Sequence, residues 1–315
     1  MIVALAGGVG AARMLRGLAA VVPPETITAV VNTGDDTVMH GLHISPDLDT
    51  VTYTLAGMIN PETGWGLRDE TWSAISELRA YSGGRLAWFN LGDRDLGTHL
   101  YRTSRLAEGA GLSRVTDEIA ARWGVSVRIV PMSNDRVETR VVVSDGSEIG
   151  FQEYFVGARH SIPVRAVRFD GVETATATPG VLEAISDAEI VLICPSNPIV
   201  SIGPVLATGG IGDTVGSRRG AAVAVSPIVA GRALKGPADR MLAELGYEAS
   251  VVGVARMWAP FAGTLVIDEA DADLAPAVAD AGMRPVVAPT VMTGPEEAAA
   301  LARVVLGTAA SAGQR

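Results

Sequence analysis

Three observations predict an α/β fold, a Rossmann-like, mostly parallel sheet carrying a long mixed insertion of helices and antiparallel strands. The apolar run Ile2–Ala6 passes through GGVGAAR into Met14, Leu15, Leu18 and Val21 at helical spacing, which reads as strand, tight turn and helix. Strand-like and helical patterns alternate again from Glu189 onward. Alanine and valine dominate a chain that is 48% hydrophobic, the composition of a buried parallel sheet with helices packed on it.

The elements follow in order. Residues 26–32 form the second strand of a βαβ unit, and an acidic stretch, NTGDDTVMHGLHISPDLDT, comes directly after it. Helical patterns then occupy 50–58, 67–81, 98–108 and 112–123. Strands are expected at 126–130, 138–143, 148–155 and 164–169, several with the period-two alternation of antiparallel pairing. Beyond these lie strands at 190–194, 221–225, 264–267 and 285–287, with helices around 205, 238–245, 274–281 and 296–306. The division that results is a sheet domain from 1–50 and 176–308, an insertion at 51–175, and a small, polar, flexible tail at 309–315.

The bulk properties exclude several functions. A formal net charge of -10 argues against nucleic-acid binding, which needs a basic footprint. It leaves room for an anionic small ligand, because local arginines, backbone N–H groups and a bound cation override net charge. The single cysteine, Cys194, rules out an intrachain disulfide and fits a reducing, cytoplasmic setting. It reads as a small buried side chain, since no base motif accompanies it. Met1 to Ala6 is too short for a signal segment, and no run of about 18 apolar residues points to a membrane span. A homodimer is the default assembly.

Four motifs carry chemistry. Gly7, Gly8 and Gly10 end a strand and open a helix, so the backbone N–H groups of Gly8, Val9 and Gly10 can receive a phosphate, with Arg13 one turn further on. The spacing lacks the third glycine of a dinucleotide fingerprint and the lysine of a P-loop, and a structural tight turn is the alternative. Asp35, Asp36, Asp47 and Asp49 fall within fifteen residues, with His40 and His43 between them. Crowded carboxylates point to a hard cation, while turn and cap roles are the alternative, Asp49 capping a helix that begins near Thr50. LGDRDLGTHLYRTSR at 91–105 leads a loop into a helix, where an imidazole and guanidinium groups either share one face toward a ligand or stand as solvated charges. Finally, Ser196, Asn197, Ser226, Lys235 and Gly236 lie in proline-stiffened loops after two adjacent strands, which make either a base-and-phosphate cradle or ordinary connections.

Seven ordered blocks resemble the CofD/FbiA transferases of deazaflavin coenzyme F-420 biosynthesis: GGVGAARML at 7–15, VVNTGDD at 30–36, ISPDLDTVTYTLAG at 44–57, WFNLGDRDLGTHLYRT at 88–103, PMSNDRVET at 131–139, PSNPIVSIGP at 195–204 and AVSPIVAGRALKGPADRM at 224–241. The resemblance implies transfer of a phosphoenolpyruvyl or 2-phospho-L-lactyl group from a guanosine diphosphate-linked donor to the ribityl hydroxyl of the deazaflavin Fo, releasing GMP. It implies Mg²⁺, with Asp35 and Asp49 as catalytic and metal-binding carboxylates and Asp36 and Asp47 as runners-up. It places the donor on Gly8, Val9, Gly10, Arg13, Ser196, Asn197, Ser226, Lys235 and Gly236, so that the sheet domain binds nucleotide. It assigns Asp49, Asn90, Arg94, His99 and Arg102 to the deazaflavin, under the 51–175 insertion. Position 90 varies within the family. The chief rival is a non-catalytic, nucleotide-sugar-binding regulator of the CofD-like superfamily, which shares the glycine turn and the first Asp pair but lacks SPDLDT and LGDRD. A nicotinamide dehydrogenase fits less well, for want of a full fingerprint.

Overall fold

The computed structural model describes residues 1–82 and 87–312. Its centre is a seven-stranded sheet of β1 (Ile2–Ala6), β2 (Ile27–Val31), β3 (Arg128–Pro131), β4 (Ile190–Ile193), β5 (Ala222–Val225), β6 (Thr264–Ile267) and β7 (Arg284–Val287). Every pairing is parallel, and the spatial order is β7-β6-β5-β4-β1-β2-β3. Chain order reverses between β1 and β4, and such a reversal opens a crevice beyond the carboxyl ends of the strands.

Both faces of the sheet are covered, which is why its strands read as continuous apolar runs rather than alternating ones. All five residues of β1 are buried: Val3 and Leu5 enter one core, Ile2, Ala4 and Ala6 the other. Helices α1 (Gly8–Ala19), α2 (Pro46–Leu55) and Pro295–Ala312 pack on the second face. Helices Val181–Asp187, Gly203–Ala207, Ile211–Ser217 and Val251–Trp258 cover the first. Against that same face lies a small antiparallel sheet of Glu138–Val143 between Glu148–Gly150 and Val164–Asp170.

Several expected elements differ in detail, each for a local reason. The acidic stretch is not one loop. Asp35 and Asp36 sit in the turn after β2, a short hairpin of Thr37–Met39 and Leu42–Ile44 exposes His40 and His43, and Asp47 and Asp49 lie in the first turn of α2. That helix begins at Pro46 rather than near Thr50, because proline at the first helical position has no N–H to leave unsatisfied. The helix expected at 67–81 is α3 (Ser73–Ser82), and the one expected at 98–108 is α4 (Asp93–Ala107). It takes in DRD as its first turn, since Glu70 reaches across the chain to accept from the N–H groups of Arg94 and Asp95 at 2.8 Å.

The strand expected at 148–155 stops at Gly150 and passes into a wide helical turn, Glu153–Gly157. The strand expected at 126–130 is β3, the edge strand of the central sheet, so it divides the 51–175 stretch into a helical part and a mainly antiparallel part. The final helix extends through Ala312, past the start of the expected tail, and 313–315 lie outside the described residues. Among the described residues no helix is long and apolar enough to cross a membrane.

The packing of α1 on Pro295–Ala312 depends on Gly17. A Cβ there would stand 2.3 Å from the carbonyl oxygen of Ala298, a backbone atom that cannot rotate away. Alanine ordinarily stabilises a helix interior by about 0.5–1 kcal/mol over glycine, but overpacking costs about 1–3 kcal/mol. Gly17→Ala is therefore expected to lower stability, read as a lower urea midpoint with an unchanged m-value. An equal or higher midpoint would show that the two helices separate freely.

Candidate active site

A cavity of about 540 Å³ occupies the crevice. The segments following β1, β2, β4, β5 and β7 all reach it, and α2, α4 and the turn at 151–156 close its other side.

The glycine turn forms the cavity floor. Gly8 has φ +71°, the left-handed region that favours glycine. At Gly10 a Cβ would fall 2.2 Å from the carbonyl oxygen of Pro195, so the start of α1 and the loop after β4 approach more closely than a side chain allows. Arg13 and Lys235 both line this end. The Arg13 guanidinium donates to the Met292 carbonyl at 3.0 Å and the Lys235 amine to the Thr63 carbonyl at 3.1 Å. Partial burial, and then the nearby Arg13, lower the pKa of the Lys235 amine. Two cations share this end of the cavity with a helix N-terminus that has no acidic residue in its first turn, an arrangement suited to phosphate.

The carboxylates stand beside it in two groups. In the first, the Asn32 amide at the end of β2 donates to Asp47 Oδ2 at 2.9 Å and to Asp35 Oδ1 at 3.4 Å, while its own Oδ1 accepts from the Gly34 N–H at 2.8 Å. Gln152 donates to Asp35 Oδ2 at 3.1 Å, and the Ser45 hydroxyl donates to Asp36 Oδ2 at 2.6 Å. The other Asp36 oxygen is buried without a hydrogen-bond partner among the described residues. Burial, and then the charges of Asp47 and Asp36, push the Asp35 carboxyl well above the usual carboxylate range. Burial raises Asp36 likewise, against the Ser45 hydroxyl. It raises Asp47 to about 6, although the Asn32 amide and the Gly8 N–H oppose it. Three acidic groups thus share neutral donors, and a hard cation with oxygen ligands is the species that would relieve them.

The second group has its own cation. Arg102 of α4 engages both oxygens of Asp49, Nη1 lying 3.1 Å from Oδ2 and Nη2 bound to Oδ1. Arg102 Nη1 also lies 3.2 Å from His99 Nδ1, and His99 Nε2 stands 3.3 Å from Asp95 Oδ2. The Tyr53 hydroxyl donates to Asp95 Oδ1 at 2.7 Å, with Thr98 Oγ1 2.9 Å away. Asp49 and His99 are 6% and 1% exposed, and both line the cavity; Arg102, 2% exposed, stands behind them.

The other expected residues divide between cavity and scaffold. Asp35 and Asp49 face one cavity, but Asp35 shares its amide donor with Asp47. Ser196 lines the cavity with a buried hydroxyl that has no hydrogen-bond partner among the described residues. Asn197 caps its own turn, accepting from the Ile199 N–H at 2.9 Å, and the Ser226 hydroxyl donates to the Ile228 carbonyl at 2.9 Å. Gly236 is at the rim with φ +72°. Asn90 lines the cavity while accepting from Arg79 at 2.6 Å. Arg94 does not reach it; its guanidinium donates to the Arg68 carbonyl at 2.9 Å. Sequence reading passed over Asn32, Tyr53 and Gln152, along with Phe151 and Phe155, whose stacked rings lie 5.5 Å apart and line the wall near Gln152. The Asn directly before the TGDD turn and the Tyr four residues after Asp49 were available signals for the first two.

Breaking a buried pair by removing one partner costs about 3–5 kcal/mol, because a charge is left buried and uncompensated. Arg102→Met is expected to lose an amount of that order in urea unfolding, and the double variant Arg102→Met/Asp49→Leu to recover most of it. A single variant as stable as the parent would mean that Asp49 finds solvent instead.

The model of the 2-phospho-L-lactate transferase CofD family matches residues 2–292. A phosphoenolpyruvate transferase from Kitasatospora aureofaciens is 46% identical over 313 residues, covering 98% of this chain and 97% of that protein. The phosphoenolpyruvate transferase of Mycolicibacterium smegmatis is 43% identical over 322 residues and covers 98% of each chain. Among solved structures, a member of the UPF0052 family from Bacillus halodurans superposes with a TM-score of 0.61 at 16% identity, over 97% of this chain and 98% of that one, a likeness of fold. With the family match spanning nearly its whole length, the chain belongs to the CofD family of transferase enzymes.

Proposed function

We propose that this transferase moves a phosphoenolpyruvyl or 2-phospho-L-lactyl group from a guanosine diphosphate-linked donor to the ribityl hydroxyl of the deazaflavin Fo, releasing GMP, with Mg²⁺ as its cation. The observation that carries the reading is one cavity holding a glycine turn, two cationic side chains and two buried carboxylates, Asp35 and Asp47, whose donors among the described residues are all neutral. The relatives' identity as phosphoenolpyruvate transferases favours the enolpyruvyl donor for this chain as well.

In the proposed reaction the acceptor oxygen forms a bond to the donor phosphorus that carries the three-carbon unit. The bridging P–O bond to the guanosine phosphate breaks, and GMP leaves with that oxygen. The hydroxyl proton passes to a carboxylate, for which Asp49 is the proposed acceptor. The N–H groups of Gly8 to Gly10, with Arg13 and Lys235, hold the donor phosphates, and the unpartnered Ser196 hydroxyl has a hydrogen bond to give the guanosine end. Phe89, Tyr53 and His99, on the wall supplied by the helical part of 51–175, face the acceptor.

Asp35 and Asp49 fit Mg²⁺ as oxygen donors. Ionised carboxylates have about four lone-pair sites, so Asp49 can accept from Arg102 and still offer an oxygen to the cavity. When bound, the cation supplies charge neutralisation for the transferring phosphoryl group.

Incubation with Mg²⁺, Fo and each guanosine-linked donor is expected to give the phosphodiester product and GMP by mass spectrometry, faster from the enolpyruvyl donor. Donor binding without product from either compound would favour a nucleotide-sugar-binding regulator. Asp35→Asn provides a second check with opposite signs. It is expected to lower kcat by roughly 10²–10³-fold, the scale of losing one electrostatic stabiliser, and to raise the urea midpoint of the metal-free protein, because a crowded buried charge is removed. Unchanged kcat would take Asp35 out of the chemistry.

A further inference from the structure

Asp49, Asp95 and His99 present three ligand atoms within 4.8 Å of one another, the geometry of a second metal site. Arg102 donates to both Asp49 oxygens and lies 3.2 Å from His99 Nδ1, so a cation of the protein itself stands against two of the three, while Asp49 keeps lone pairs toward the cavity. This arrangement bears on the histidine's tautomer. An arginine can only donate, so a hydrogen bond at this contact requires Nδ1 to accept and the ring proton to sit on Nε2. Nε2 is buried and stands 3.3 Å from Asp95 Oδ2, at an angle short of a hydrogen bond, with no other hydrogen-bond partner among the described residues. Asp95 in turn is held by the Tyr53 hydroxyl at 2.7 Å. A chain of polar contacts therefore runs Tyr53–Asp95–His99–Arg102–Asp49, all of it on α2 and α4, and it ends at a carboxylate on the cavity wall.

We propose that Asp95 and His99 are positioning residues for the transfer: Asp95 fixes His99 as the Nε2–H tautomer, and His99 then locks the Arg102 guanidinium in the plane that presents Asp49 to the acceptor hydroxyl. The inference rests on the reading of Asp49 given above and changes the role of His99 from deazaflavin contact to support. Spacing favours it. His99 lies four residues after Asp95 and three before Arg102, so one helical face carries all three, and each rotamer is constrained by its neighbours. Outer groups of this kind, acting through the ligand they orient, typically change activity by 10–100-fold on removal. The Nε2–Asp95 contact is long, as such bonds often are before substrate binds, and it is expected to shorten in the loaded enzyme.

Two conservative variants separate the ends of the chain. His99→Asn puts an amide oxygen near the place of Nδ1, keeping the acceptor for Arg102 and losing Asp95. His99→Gln puts an amide N–H near the place of Nε2, keeping the donor to Asp95 and losing Arg102. The proposal expects His99→Gln to lose roughly 10–100-fold in kcat, with KM for both substrates within about twofold, and His99→Asn to retain clearly more activity than His99→Gln. A rise in KM for the deazaflavin with kcat unchanged would overturn it in favour of direct contact, as would equal losses in the two variants. Nitrogen-15 chemical shifts of His99 in the wild-type protein test the tautomer without any turnover: protonated Nε2 and bare Nδ1 support the proposal, and protonated Nδ1 overturns it. If wild-type protein forms no product, the transfer reading fails on its own, and the tautomer measurement still stands.

Discussion

Three carboxylates buried at the end of a parallel sheet, none hydrogen-bonded to a cationic side chain among the described residues, set the terms for the elements around them. Asp35, Asp36 and Asp47 repel one another and are shielded from water. The fold tolerates them by bringing neutral donors from four directions: the Asn32 amide from just after β2, the Ser45 hydroxyl from the start of α2, the Gln152 amide from the helical turn that follows the strand Glu148–Gly150, and the Gly8 N–H from α1. Each donor comes from a different part of the chain. The cluster thus links the first βαβ unit to the 51–175 stretch, and its neighbours are placed by electrostatics as much as by apolar packing. A partly satisfied buried polar network is costly in an isolated fold. The cation of the proposed function would convert that cost into affinity.

The second constraint is steric. At the crevice between β1 and β4 the backbone at Gly10 approaches the Pro195 carbonyl too closely for any side chain, and Gly7 has Ser201 Cβ and Asp47 Oδ2 within 2.8 Å of where its Cβ would be. These glycines serve the close approach of segments as well as the turn itself. The alternatives left open by the sequence, a structural turn or a phosphate cradle, are therefore not exclusive. The same absence of side chains that lets α1 meet the loop after β4 leaves the backbone of Gly8, Val9 and Gly10 lining the cavity, with the Gly8 N–H turned to Asp47.

Much of the fold was legible because a doubly covered parallel sheet writes itself as short apolar runs between glycine-rich turns. Strands 2–6, 138–143 and 264–267 coincide with the expected ones end to end, and the other strands of the central sheet agree to within about two residues. Local reading failed where a partner distant in sequence decided the outcome. Glu70 caps the amides of Arg94 and Asp95, moving the start of α4 five residues earlier than its apolar pattern suggests. β3 joins the parallel sheet although its neighbours in sequence pair antiparallel. Val251–Trp258 was missed because it is short and mostly buried: six of its eight residues lie in the core, and an apolar run of that length is not told from a strand by periodicity. In the site, the clusters of Asp, Gly and Arg were visible as composition. Which carboxylate had a cation and which had only amides was not, because Arg102 reaches Asp49 across 53 positions and Gln152 reaches Asp35 across 117.

That difference divides the acidic residues by function. Asp49 is held by a guanidinium whose own orientation is set by His99, so its position is fixed before any ligand arrives. Asp35 and Asp47 share one amide and have no such anchor, so their geometry is free to adjust to a cation. A phosphoryl transfer needs both kinds of group. The attacking oxygen must be aimed at phosphorus within a few tenths of an ångström, a task for a rigid carboxylate on a helix. The charge on the donor must be met wherever the bound nucleotide places it, a task for carboxylates that a cation can draw together. Fifteen residues of sequence, 35–49, thus contain one carboxylate held by a guanidinium and a set held only by neutral donors among the described residues, which in the proposed reaction a cation would draw together. The turn of α2 that begins at Pro46 puts them side by side, with Asp47 facing the glycine turn and Asp49 facing α4.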